Sequence, residues 1–190
     1  MEHNRREEKK ITARQSWMLI AGLVLVCLWH QPAYPAQAPR DMGFPIRSGH
    51  TLMVSKLAAS APIVYANSHN EDDIQVFLRS GVVHLLGTAE PGKIGNCYIV
   101  GHSSDYEQAP GGYKTVFARL PDLAIGDEIQ IRTPERVFEY SVVEARVVEA
   151  NDLSVLTQET GGRKLLTLQT SYPIGSAKQR LIVVAQQREK

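Results

Sequence analysis

Three short stretches of the sequence place a side chain capable of chemistry at one end of an apolar, strand-like run. His102 follows Ile99-Val100-Gly101, Ser171 closes the run Thr167-Leu168-Gln169-Thr170, and Arg180 opens a run that continues to Val184. An imidazole moves protons near neutral pH, a hydroxyl becomes a nucleophile when a base removes its proton, and a guanidinium binds anionic oxygens. Together these residue types are suited to nucleophilic catalysis.

Each of the three residues also has an ordinary structural explanation. A histidine at a strand end is commonly solvated or capped, a serine after a strand commonly begins a turn, and an arginine before an apolar run is commonly a surface flank. The functional interpretation therefore requires that the fold bring His102, Ser171 and Arg180 together.

The elements that must position these residues are mostly short β-strands. The pattern of apolar and turn residues predicts strands over residues 61–65, 96–100, 128–133, 137–150, 165–170 and 181–185. Helices are predicted over residues 71–80, which have acidic residues in the first turn, and over residues 113–120. Residues 49–60 are expected to form a short helix or an irregular lead-in. The fold class is all-β with short helices, and the pattern alone does not choose between a closed barrel and a sandwich.

The order and spacing of the three stretches resemble the sortase family. Sortases carry a histidine after a β-strand, then a Thr-Leu-x-Thr-Cys motif, and then an arginine on the next strand. The matching residues here are Gly101-His102-Ser103-Ser104, Thr167-Leu168-Gln169-Thr170-Ser171 and Arg180. Further matching stretches are Gly87-Thr88-Ala89, Pro91-Gly92, Gly95-Asn96, Thr115-Val116-Phe117-Ala118 and Gly126-Asp127. The resemblance covers about residues 58–187.

That resemblance implies a closed, eight-stranded β-barrel with transpeptidase activity. Such an enzyme cleaves a C-terminal sorting signal, LPXTG-like, between Thr and Gly and holds the product as a thioester on its cysteine. An amine of a peptidoglycan precursor or a pilin lysine then releases the product. By resemblance, His102 is the general acid that protonates the departing amine. Arg180 binds the substrate and stabilises negative charge on the carbonyl oxygen. The expected partners are the sorting-signal peptide and the amine acceptor, and no cofactor is implied.

The resemblance also assigns the residues around the nucleophile to the substrate. Thr170 is expected to shape the oxyanion site, and the loop that begins with Tyr172, Pro173 and Ile174 is expected to wall the substrate groove. Simple loop chemistry is the alternative explanation for these positions.

Residue 171 departs from the family pattern, because it is serine where a sortase has cysteine. A serine hydroxyl needs a base that a carboxylate orients, and Arg180 is a cation with no acceptor to offer. We therefore expect little or no transpeptidation. Three explanations stay open: an introduced inactivating change, a natural protein that binds sorting signals without processing them, and a true serine variant. A purely structural barrel without a peptide groove is a further alternative.

Composition excludes several other classes of function. The chain has 190 residues and a formal net charge of +1, so no global field recruits nucleic acid. Its two cysteines, Cys27 and Cys97, do not form a disulfide framework or a metal motif. Cys97 is an odd number of residues before His102, which places it on the opposite face of a continuous strand and predicts a small core residue.

The N-terminal region predicts export and anchoring. Residues 1–16 are polar and basic, and residues 17–36 contain an uncharged apolar run between two tryptophans. Four prolines lie within residues 31–48, and residues 37–57 are the predicted proline-rich spacer. This pattern predicts a cytoplasmic tail, a single transmembrane signal anchor and a spacer, with a barrel domain over residues 58–190 outside the cell membrane. A cleaved signal peptide and a buried core helix are the alternatives for the apolar run.

Overall fold

Eight β-strands form a closed barrel in the computed structural model, which describes residues 46–189. The strands are β1 (Ile46–Val54), β2 (Ala59–Tyr65), β3 (Val82–His84), β4 (Gly95–Val100), β5 (Glu128–Arg132), β6 (Val137–Glu149), β7 (Lys164–Tyr172) and β8 (Gln179–Gln187). They close in the spatial order β1-β2-β3-β4-β7-β8-β6-β5. The barrel is thereby confirmed, and the sandwich is excluded.

Helical structure is confined to short segments. The helix α1 (Glu71–Phe77) begins at Asn70, whose side chain accepts a hydrogen bond from the backbone N–H of Asp72. Three 3-10 helices cover Ser55–Leu57, Leu120–Asp122 and Leu153–Leu156. The prediction of a helix near residue 71 is confirmed, although the helix ends at Phe77.

The predicted helix over residues 113–120 is wrong, because this segment forms consecutive turns instead. The backbone N–H of Phe117 donates to the carbonyl oxygen of His102 at 2.9 Å, so it is not available for a helical bond. The other turn bonds, such as Ala118 to Thr115, span three residues. In place of a helical hydrogen bond, the segment forms a backbone hydrogen bond to His102.

The barrel begins earlier than the sequence pattern predicts. Strand β1 occupies residues for which the sequence predicts a proline-rich spacer (37–57) and an irregular lead-in (49–60), and it pairs with both β2 and β5. The domain boundary at residue 58 is therefore too late. Gly49 has φ of +78° and lies where the β1 register shifts, so the strand bulges without ending. Strand β3 was not predicted, since it has only three residues.

Alternate residues of the strands fill the barrel interior. Leu166 and Leu168 of β7, Ile99 of β4 and Leu181 and Val183 of β8 belong to this inner cluster, and all are at most 6% exposed. A second apolar cluster covers part of the outer face, where Ile74 and Phe77 of α1 pack near Tyr98, Val100 and Ile182. The sheet that carries the candidate residues is thus buried on its inner face and partly covered on its outer face.

The predicted tail (1–16) and signal anchor (17–36) lie outside the described residues. Within residues 46–189, no helix is long and apolar enough to cross a membrane.

Cys97 is a core residue, as the sequence predicts. Its side chain is 1% exposed in the inner cluster, and burial raises the pKa of its thiol. We expect Cys97→Ser to destabilise the fold by about 1–3 kcal/mol, because a hydroxyl without a partner replaces an apolar thiol. Urea unfolding would measure this loss, with Cys97→Val as the apolar control. Rapid reaction of the native thiol with a disulfide reagent would contradict the assignment.

Candidate active site

Ser171 and Arg180 are direct neighbours across the antiparallel pair β7–β8. Their Cα atoms are register partners at the end of the pair, followed by Tyr172 and Gln179. Directly opposed residues project from the same face of a sheet. Because Leu166 and Leu168 point into the barrel, Ser171 projects from its outer face, and Arg180 does so with it.

His102 reaches the same place by way of the parallel pair β4–β7. The register pairs Val100 with Gln169, and the N–H of Gly101 then donates to the Gln169 carbonyl at 3.1 Å. Two side-chain bonds continue this contact beyond the end of β4. Thr170 Oγ1 donates to the Gly101 carbonyl at 2.8 Å, and Ser103 Oγ donates to the Ser171 carbonyl at 2.9 Å.

The residues on either side of His102 are therefore tied to residues 170 and 171. His102 thus lies two residues beyond the end of β4, near the paired ends of β7 and β8 that carry Ser171 and Arg180, and we name His102, Ser171 and Arg180 the site row. The sequence predicts these three residues as a group, and the fold brings all three together.

Glycine is required before the histidine. A Cβ atom on Gly101 would lie 2.5 Å from Cδ2 of the fully buried Phe117 ring. The same Phe117 donates its backbone N–H to the His102 carbonyl. The phenyl ring and its amide thus hold the chain at residues 101 and 102 against the barrel.

The His102 ring is half-buried, and its surroundings favour the neutral form. Burial lowers the pKa of His102, and the negative charge of Asp105 opposes this shift only in part. Asp105 also accepts a hydrogen bond from the N–H of Tyr106 at 2.7 Å. In the described part of the chain, no carboxylate hydrogen-bonds to the His102 ring. The ring is a neutral proton acceptor near pH 7, without an orienting carboxylate.

Arg180 is held by backbone carbonyls. Its Nη1 donates to the carbonyls of Ala177 at 2.8 Å and Gln179 at 3.0 Å. Among residues 46–189, Arg180 forms no ion pair with a carboxylate, so its positive charge is not neutralised by a partner. A guanidinium in this state can attract a developing negative charge on a substrate oxygen.

The remaining predicted site residues divide into two groups. Thr170 is 3% exposed, and its hydroxyl is bonded to Gly101, while Tyr172 packs against the inner cluster. Pro173 and Ile174 are exposed on the loop after β7, with Ile174 56% exposed. The side chains of Thr170 and Tyr172 thus support the site from inside, and only Pro173 and Ile174 present exposed surface.

The two serines that follow His102 have a structural role that was not predicted from the sequence. Ser103 is 3% exposed and bonds to the Ser171 carbonyl, while Ser104 Oγ accepts from the N–H of Gly175 at 3.1 Å. We call Ser103 and Ser104 the serine clamp, because they fasten the histidine segment to the end of β7 and to the loop that follows it. A pair of hydroxyls directly after the histidine is the only signal that the sequence offers.

Within residues 46–189, no three His, Cys, Asp or Glu side chains come together in a group that could hold a metal ion.

Comparison with known proteins gives a consistent result. A family model described as a Sortase domain matches residues 52–188. Sortase D of Bacillus subtilis (strain 168) is 28% identical over 153 residues, which cover 77% of this chain and 69% of that protein.

Solved structures with similar folds are also sortases. Sortase C-1 from Actinomyces oris superposes with a TM-score of 0.64 at 26% identity, covering 77% of this chain and 76% of that one. The Sortase D5 transpeptidase of Clostridium perfringens gives a TM-score of 0.61 at 28% identity, with coverage of 74% and 79%.

The electrostatics of His102 can be tested by titration. We expect NMR of the ring to give a pKa below the usual value of about 6.5. Asp105→Asn should lower it further, because it removes the charge that stabilises the protonated ring. Asp122→Asn, a carboxylate paired with Arg119, is the matched control and should leave the His102 pKa unchanged. A pKa above 7 would contradict the burial of this ring.

Proposed function

Because the chain belongs to the sortase family, we propose that it recognises the sorting signals of exported proteins at the site row. As written, with Ser171 at the nucleophile position, it is a very weak or inactive transpeptidase. The observation that carries this proposal is the alignment of His102, Ser171 and Arg180 on three neighbouring strand ends. An imidazole, a hydroxyl and a guanidinium without a carboxylate partner are the groups that an attack on a peptide carbonyl would use.

Each residue of the row has a role in the proposed chemistry. A nucleophile at position 171 attacks the carbonyl of the sorting signal, and Arg180 stabilises the negative charge that develops on its oxygen. His102 accepts the proton of the nucleophile, donates it to the departing amine as the Thr–Gly bond breaks, and later accepts a proton from the incoming amine, which returns to the nucleophile when the acyl bond to residue 171 breaks. The resolving amine belongs to a peptidoglycan precursor or to a pilin lysine, outside the membrane that residues 17–36 are proposed to span.

A serine oxygen cannot fill the role of the thiol in this setting. A thiol ionises with a pKa of about 8.5, and a neighbouring guanidinium favours its thiolate, whereas a hydroxyl needs active proton removal. His102 is neutral and could accept that proton, but no carboxylate orients it or stabilises its charged form. The row therefore lacks the third member that serine hydrolases use.

The second candidate is a protein that binds sorting signals without processing them. Ser171 itself favours this possibility, because serine is close to cysteine in size and leaves the face of the sheet open to a peptide. In this case Arg180 and the exposed loop at Pro173 and Ile174 contribute to affinity alone. An introduced inactivating change and a true serine variant are the two further alternatives for residue 171.

Restoring the thiol separates these possibilities. We expect Ser171→Cys to cleave LPXTG-like peptides and transfer them to an amine, at a rate at least about a hundredfold above that of the chain as written. Mass spectrometry of products from a panel of sorting-signal peptides measures both steps. Arg180→Ala in the Ser171→Cys background should remove most of this activity, because the charge on the oxygen is then uncompensated.

The outcomes are distinct for each possibility. Activity of the unsubstituted chain that Ser171→Ala abolishes would establish a true serine variant and contradict the chemical argument above. Peptide binding by both the unsubstituted chain and the Ser171→Cys variant, with no cleavage by either, would support the binding protein. Absence of both binding and cleavage would overturn the proposed function.

A further inference from the structure

We infer that a cavity at the barrel end opposite the site row binds a singly charged phosphate diester whose substituents carry hydroxyl groups. Two cationic side chains, those of Lys93 and Arg136, line this cavity, and we name them the cation pair. The residues of the cavity take no part in the proposed chemistry, so the inference stands apart from the proposed function.

The direction of the strands separates the cavity from the site row. The cavity is lined by residues at the start of β1, at the end of β2, in the loop before β4 and around the turn between β5 and β6. The site row lies at the other end of β4 and β7. The cavity has a volume of about 460 Å³, which is within the range of small-molecule sites. It is therefore large enough for an organic anion.

One wall of the cavity is held by contacts around Tyr65, which is 7% exposed. The Tyr65 hydroxyl and His50 Nδ1 are hydrogen-bonded at 2.8 Å, and the Arg47 guanidinium lies 4.0 Å from the centroid of the Tyr65 ring. Arg47 also donates to the Glu90 carboxylate at 2.8 Å. Burial raises the pKa of Tyr65 to about 12, so its hydroxyl stays protonated. In this wall, the charges of Arg47 and Glu90 neutralise each other.

The loop that carries Lys93 is fixed against β6. The N–H of Gly92 donates to the Tyr140 hydroxyl at 3.1 Å, and a Cβ atom on Gly92 would collide with the Phe138 ring. The N–H of Lys93 donates to the Glu90 carbonyl at 3.1 Å and closes a turn. The backbone at Lys93 is thus positioned without help from a ligand.

The cation pair is the part of the cavity that lacks a partner. Arg136 belongs to the β5–β6 turn, where its carbonyl accepts from the N–H of Thr133 at 2.9 Å, and its guanidinium lies 5.7 Å from the centroid of the Phe138 ring. Among residues 46–189, neither Lys93 nor Arg136 forms a salt bridge or a side-chain hydrogen bond. Cations held in this way attract an anion, and a guanidinium binds two oxygens of a phosphate at once.

The carboxylates of the cavity define the rest of the ligand. The pKa of Glu90 is lowered by its hydrogen bond to Arg47, and that of Glu135 by hydrogen bonds from Thr133 and from its own backbone, so both are ionised. With His50 neutral, three cations and two carboxylates give the lining a formal charge of +1, which a single negative charge balances. Carboxylate oxygens accept hydrogen bonds and therefore favour hydroxyl groups on the ligand.

A phosphate diester meets each of these requirements. It carries one negative charge, offers two free oxygens to the guanidinium, and has two substituents that can reach the carboxylates. A carboxylate ligand has only one substituent, and a phosphate monoester carries up to two charges. The diester is either the headgroup of a phospholipid or a free compound, because both present the same atoms to the cavity.

Calorimetric titration of the full chain in a neutral detergent tests the site, with glycerophosphoglycerol as the probe. We expect a dissociation constant below about 1 mM. Lys93→Gln and Arg136→Gln should each raise it about tenfold, because each removes a charge-assisted hydrogen bond to the ligand. Acetate and, at about pH 8, inorganic phosphate should bind at least about tenfold more weakly than the probe.

A short-chain lipid identifies the source of the diester. Dihexanoylphosphatidylglycerol, used below its micelle concentration, presents the same headgroup as the probe with acyl chains attached. Binding at least about tenfold tighter than that of the probe would assign a lipid headgroup to the cavity, and equal binding would assign a free diester. Either result supports the phosphate diester site.

Arg79→Gln is the matched control. Arg79 follows α1, lies outside the lining of the cavity, and forms no salt bridge within the described part of the chain, so its replacement changes the net charge equally. It should leave the dissociation constant within about twofold. An equal loss of affinity in Arg79→Gln would indicate nonspecific charge attraction and overturn the site. Absence of probe binding, unchanged affinity in Lys93→Gln and Arg136→Gln, or acetate binding as tight as that of the probe would overturn it as well.

Discussion

The parallel pairing of β4 with β7 is the contact on which the rest of the site depends. His102 and Ser171 are far apart in the chain, and this pairing is what makes them neighbours. Its register is fixed by the core, because Ile99 and Leu168 must both face the barrel interior. A slip of one residue would turn each strand's apolar side chains outward. The burial of Ile99 and Leu168 in the core therefore fixes how the segments that carry His102 and Ser171 lie next to each other.

The frame around residue 171 is independent of which nucleophile stands there. Ser103 bonds to the backbone carbonyl of Ser171, and the antiparallel pairing with Arg180 uses the backbone as well. Within the described residues, no hydrogen bond holds the Ser171 hydroxyl. Exchanging sulfur and oxygen at this position thus changes reactivity without removing a contact that orients His102 or Arg180.

Much of this arrangement could be predicted from the sequence, and the reasons for the failures are physical. The site row was identified because three strand ends carry His102, Ser171 and Arg180 in a recognisable order. Strand β1 was missed because the predicted proline-rich spacer was extended to residue 57, and β3 was missed because three residues show no periodicity. The serine clamp was missed because hydroxyl partners far away in the chain leave no local pattern. The periodicity of apolar residues predicts which side chains are buried. Hydrogen bonds between distant segments can be identified only in the folded structure.

The serine clamp fastens the histidine segment to the end of β7 and to the loop after it. It holds backbone atoms in place and supplies neither a base nor a charge to the nucleophile. A thiol beside the free Arg180 guanidinium gains reactivity from position alone, because its ionisation is already within reach near a pH of about 8.5. A hydroxyl gains nothing from the same position, because it needs a base that is oriented and stabilised after protonation. Within residues 46–189 the His102 ring has no hydrogen-bonded carboxylate to supply this, and this absence is the physical reason for the proposal that the serine form is a very weak or inactive transpeptidase.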